Sequence, residues 1–144
     1  MKYKGRSING LEFYNLLHQS DEFTSVLGKM ILASSKLESQ MIIYLKDKQI
    51  KINHNEATLG NLINLLKTKK LIDHNIIDHL IIAKIQRNYL THNIYALLTD
   101  LIDETILERK DIIDSDVHTY VERASQLKEN LTTLAEIFEG INKK

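Results

Sequence analysis

No proline occurs in the 144 residues, and only five glycines do. Proline removes a backbone donor and clashes with the preceding helical turn, so a chain without it carries no forced helix break. Leu, Ile, Lys and Asn are abundant, and long helices joined by polar links are the expected product. The apolar spacing places them. Leu27, Met30, Ser34, Leu37, Met41, Tyr44 and Leu45 recur every three or four residues and predict a helix over 21–46, with Ser20 as its cap. A short helix over 10–18 should dock through Phe13, Leu16 and Leu17, and Thr58 should cap a helix over 59–70. From Asp73 to about Leu98 the chain is apolar on several sides, which predicts the central helix. Val117, Tyr120, Val121, Ala124, Leu127, Leu131, Leu134 and Phe138 define the last helix, with Gly140 placed to end it.

The links are less regular. Residues 1–9 read as a loose segment, 46–56 as a polar connection, 99–110 as acidic and partly helical, and 111–116 as a turn region. The whole, residues 1–144, is one domain by length. The fold class is all-α, an antiparallel bundle of four to five helices.

Nineteen basic residues balance nineteen acidic ones, so any attraction to nucleic acid must come from a local patch. The absence of cysteine excludes a disulfide framework and thiolate metal sites. No apolar run approaches the roughly 18–20 residues of a membrane span, and no signal peptide follows the basic N-terminus. The expected location is the cytoplasm, with no membrane partner.

The polar residues worth explaining cluster on the helix begun at Asp73. Asn88, His92 and Tyr95 share one stripe at i, i+4 and i+7; Arg87 and Thr91 flank it, and Lys84 lies one turn before. Arginine matches two phosphate oxygens with a permanent charge, and histidine gives or takes a proton near neutral pH. Those are the needs of phosphodiester cleavage by a neighbouring ribose 2′-hydroxyl. One chain supplies one such histidine; a two-fold dimer would supply two. On the helix over 21–46, Glu38 interrupts the apolar line of Ile31, Ile42 and Leu45. An interior carboxylate needs a cation, and Arg87 is its candidate partner.

The constellation Arg87-Asn88, then Tyr89-Leu90-Thr91, then His92 resembles the motif of the HEPN domains: Arg, a polar residue, a short spacer and His within an all-helical bundle. The layout from residue 20 to 140 is similar, with Ser35-Lys36-Leu37-Glu38 in the leading helix. The resemblance implies a metal-independent endoribonuclease without a cofactor, its site shared across a homodimer, in a toxin or antiphage setting. Carried over, Arg87 would stabilise phosphate, Asn88 would orient the site and His92 would transfer protons. Lys84, Thr91 and Tyr95 are candidate RNA contacts, and Glu38 is a supporting residue. Some HEPN domains pair with a nucleotidyltransferase antitoxin that adenylylates a tyrosine two positions beyond the histidine. Here that position is Ile94 and the tyrosine is Tyr95, about 100° further round the helix, so the modification is not carried over.

A second reading needs no chemistry. Arg87 neutralises Glu38, His92 bonds a backbone carbonyl, and the chain is a helical dimerisation or interaction module for a protein partner or a nucleotide. His74, Asp78 and His79 place two metal-ligand types on one helical face without a third or fourth ligand, so no metal is assigned.

Overall fold

The computed structural model describes residues 3–91 and 112–144. Within them the fold is the expected all-α bundle: α1 (Gly10–Gln19), α2 (Asp21–Asp47), α3 (Leu59–Thr68), α4 (His74–Thr91) and α5 (Val117–Asn142). A two-stranded antiparallel ribbon joins β1 (Ser7–Ile8) to β2 (Ile112–Ile113), pairing Ser7 with Ile113 and Ile8 with Ile112.

The predicted caps form. Ser20 Oγ accepts from the Phe23 amide at 3.1 Å, and Thr58 Oγ1 accepts from the Asn61 amide at 3.3 Å. The helix ends use a device that composition does not announce. Gln49 and Lys70 take positive φ values of 62° and 50°. Beyond them, the amides of Ile50 and Leu71 donate to the carbonyls of Leu45 and Leu66. This is the left-handed Schellman stop usually built on glycine, and both following residues are apolar and pack on the core. It ends α3 at Thr68 rather than at the expected residue 70. At the other terminus α5 runs through Gly140 to Asn142, so Gly140 is not a stop signal.

Packing is organised around α2 and α5. α2 buries Phe23, Met30, Ser34, Leu37, Met41, Tyr44 and Leu45; α5 buries all eight residues of its predicted stripe together with Ala135. These two helices run side by side in one direction, which corrects the expectation that the bundle is antiparallel throughout. Tyr3 lies edge-on to His118 at the start of α5 and touches Ser20 at the start of α2. At the far end Tyr44 packs on Phe138, and Asn142 donates to Gln40. α3 rises with them, because its end brings the Leu71 carbonyl to the Tyr44 hydroxyl at 3.1 Å. α4 returns in the opposite sense.

The expectation that the helix from Asp73 is central is corrected. α4 packs on α3 and α5 at the side of the bundle, burying Ile77, Leu80, Ala83 and Leu90 while Ile82 and Ile85 are exposed. Its isoleucines surround the helix, but a flanking helix buries only one side.

The N-terminal segment is also corrected: from residue 4 onward it is clasped, not loose. Asp114 is buried, and its carboxylate accepts from the backbone amides of Lys4, Gly5 and Arg6 at 2.8–3.0 Å. Gly5 holds φ at 76°, a left-handed turn that a Cβ would strain. The Asp114 amide returns a bond to the Arg6 carbonyl. The clasp is invisible to periodicity because an aspartate in a polar turn reads as solvated.

The Lys4 amide, followed by those of Gly5, Arg6 and Ser115, holds the Asp114 carboxyl below its ordinary range against the opposing effect of burial. A lowered folded-state value stabilises the fold above the unfolded value of about 3.9, and that stabilisation is lost as pH falls through the lower folded value. Asp114→Asn should therefore flatten the acid limb of the unfolding curve below about pH 4 and speed hydrogen exchange at Lys4, Gly5 and Arg6 near neutral pH. Unchanged exchange at those amides would contradict the clasp.

Candidate functional site

Arg87 lies on the side of α4 that faces α2. Its Nη1 donates to Glu38 Oε1 at 3.0 Å and to Ser34 Oγ at 3.3 Å, and its Nη2 donates to Asn88 Oδ1 at 3.1 Å. The expected Glu38–Arg87 pair is thus present. Its side chains are 23% and 20% exposed, sheltered enough that each charge depends on the other.

Ser34 was not singled out from sequence. It is 2% exposed and stands one turn before Glu38, so the two polar breaks in the α2 stripe sit at i and i+4 and aim at one guanidinium. That paired interruption was the available signal.

A guanidinium has five N–H groups. Three are engaged by Ser34, Glu38 and Asn88, while Nε is buried without a hydrogen-bond partner among the described residues. The engaged groups fix the plane of the cation. Asn88 uses its oxygen on Arg87, which leaves its amide hydrogens for another acceptor. Thr91 Oγ1 donates to the Arg87 carbonyl at 2.9 Å, the back-bond common for helical threonine. The hydroxyl proton is therefore occupied, and Thr91 has only its oxygen lone pairs to offer.

Lys84 is half-buried and extends over the first turn of α3, its Cδ 3.5 Å from where a Gly60 Cβ would sit. Tyr89 packs against the core. His92 and Tyr95, the other residues expected on this face, lie outside the described residues, so the structure brings together Glu38, Arg87, Asn88 and Thr91 of the predicted set.

Lys67, Lys69 and Lys70, the other lysines that could give a local basic patch, lie away from Arg87. They sit where the C-termini of α2, α3 and α5 converge and α4 begins, about 20 Å along α4 from Arg87 at 1.5 Å per residue. Three negative helix ends gather at that pole, and lysines there complement them. Among the described residues no cluster of three His, Cys, Asp or Glu could hold a metal ion. His74 instead lies 3.8 Å from Asp73, and His79 Nδ1 meets the Asn75 carbonyl at 2.6 Å.

No family model, curated protein or solved structure matches the chain. The likeness to HEPN domains therefore rests on the sequence motif, with Arg87 and Asn88 late in α4 of an all-α bundle. No described helix is long and apolar enough to cross a membrane.

Glu38→Gln should lower the urea unfolding free energy by about 1–3 kcal/mol, because it leaves a half-buried guanidinium without its counter-charge. Ser34→Ala should cost less, about 0.5–1.5 kcal/mol for one hydrogen bond. An unchanged midpoint for Glu38→Gln would remove the ion pair from the forces holding α4.

Proposed function

We propose that the chain is a metal-independent endoribonuclease of HEPN type, acting as a homodimer with RNA as substrate, in a toxin or antiphage role. The observation that carries the reading is the Arg87 guanidinium, held in one orientation by Glu38 and Ser34 from α2 and by Asn88 from its own helix. A cation fixed before substrate arrives needs no reorganisation as charge builds on phosphorus, which is how electrostatic stabilisation gains its effect.

In this reading the ribose 2′-oxygen attacks phosphorus and the bond to the 5′-oxygen breaks. One His92 accepts the 2′-proton, and the second copy's His92 protonates the leaving oxygen. The products are a 2′,3′-cyclic phosphate and a free 5′-hydroxyl, with no water, metal or oxidant consumed. Arg87 faces the phosphorane, the Asn88 amide hydrogens orient a phosphate oxygen, and Lys84 adds local positive charge to a chain of zero net charge.

A second reading has its own observation. Glu38 already neutralises Arg87 at 3.0 Å, and a satisfied ion pair is what a structural tie between helices requires. Arg87, Asn88 and His92 then hold an interaction module together.

Cleavage separates the two. Purified protein incubated with bulk tRNA in EDTA should yield 2′,3′-cyclic phosphate ends. Arg87→Ala and His92→Ala should each lose at least about a hundredfold in rate, the usual scale for one acid–base or electrostatic group, while remaining helical. Absence of cleavage by folded, dimeric wild type would transfer the motif to the structural reading.

A further inference from the structure

A cleft of about 380 Å³ lies between α4 and α5. Ala83 and Leu134 contribute to its apolar surface, and Asn75, His79, Gln86 and Asn130 are among the polar residues lining it. Among the described residues no Asp, Glu, Lys or Arg lines it. In a chain that is 26% charged, the described lining is polar without formal charge.

The hydrogen-bonding capacity of two lining groups is set by their neighbours. The Asn75 carbonyl only accepts, so His79 Nδ1, 2.6 Å away, carries a proton and donates to it. That leaves Nε2 as the ring atom free to face a ligand. Across the cleft, Asn130 Oδ1 accepts from Gln126 Nε2 at 3.0 Å, which leaves the Asn130 amide hydrogens as donors. The Asn75 and Gln86 side chains add both functions. The cleft therefore offers acceptors and donors around an apolar surface, with no formal charge to satisfy.

We propose that this cleft binds a nucleobase. A base is a flat, largely apolar ring that is uncharged near neutral pH and carries donors and acceptors along its edge. An anionic ligand would find no counter-charge in the lining, and a purely apolar one would strip water from the amides without replacing it. The volume lies within the range of small-ligand sites. Gln86, in the cleft lining, is the sequence neighbour of Arg87 and turned about 100° from it around α4, so a base held here belongs to a nucleotide beside the one whose phosphate meets Arg87. The proposal takes its ligand class from the ribonuclease reading but needs none of that reading's chemistry.

The test uses the full chain, isotope-labelled, titrated with adenosine, cytidine and uridine, and separately with inorganic phosphate. At least one nucleoside should give saturable shift changes at Asn75, His79, Gln86 and Asn130, and phosphate should not. Thr133→Trp, which fills the cleft from an exposed position, should weaken that binding at least about tenfold. Asn130→Leu, which removes the amide without filling the cleft, should weaken it by a similar factor and serves if the larger side chain disturbs folding. No saturable binding of any nucleoside, the same shifts with phosphate, or unaltered affinity in a folded variant would overturn the proposal. Nucleosides contain no phosphodiester, so the outcomes stay separate. Binding without RNA cleavage keeps the cleft and removes the ribonuclease reading; cleavage without binding does the reverse.

Discussion

α2 is the helix against which the described chain is arranged, and it carries a carboxylate where its apolar stripe should continue. Hydrophobic burial along α2 and α5 supplies the bulk of the packing, at roughly 1.5–3 kcal/mol for each fully buried Leu, Met or Phe. Burial alone does not say how α4 sits against α2, since α4 packs mainly on α3 and α5. Arg87 reaches from α4 to Glu38 and Ser34 on α2. Arginine suits that reach, because its stem is long and its fork satisfies two acceptors at once. Glu38 and Ser34 therefore set where α4's polar residues lie.

That tie has a chemical consequence as well as a structural one. A guanidinium held by three acceptors keeps its plane without substrate, at the cost of donors that substrate would otherwise use. The catalytic reading depends on the first effect and the structural reading on the second. Elsewhere in the bundle charge is used more simply. Lysines crowd the pole where three helix C-termini meet, and a buried aspartate clasps the chain's beginning to the start of α5.

Much of this was legible in sequence wherever periodicity and capping chemistry agreed. The burial stripes of α2 and α5, the Ser20 and Thr58 caps and the Glu38–Arg87 pair all follow from spacing and from the cost of an interior charge. What escaped depends on partners distant in sequence. Isoleucine on every side of α4 suggested a central helix, but spacing does not reveal how many neighbours a helix has. The clasp at Asp114 joins residues 110 positions apart, and the stops at Gln49 and Lys70 use side-chain types with no turn signature. Ser34 meets Arg87 from across the bundle, a partner that spacing along α2 does not reveal. The motif's remaining member, His92, falls outside the described residues, as does Tyr95, so the resemblance stays a reading of the sequence.

The claim at the centre of this account is that α2 places Arg87 through Glu38. A double-mutant cycle with Glu38→Gln and Arg87→Met, read by urea unfolding in moderate salt, tests it most directly. The two changes should be strongly non-additive, with a coupling of about 1–2 kcal/mol, and the double variant should be more stable than Glu38→Gln alone because no orphaned charge remains. Additivity within about 0.3 kcal/mol would show that the two residues do not depend on each other, and the placement of Arg87 would then need another cause.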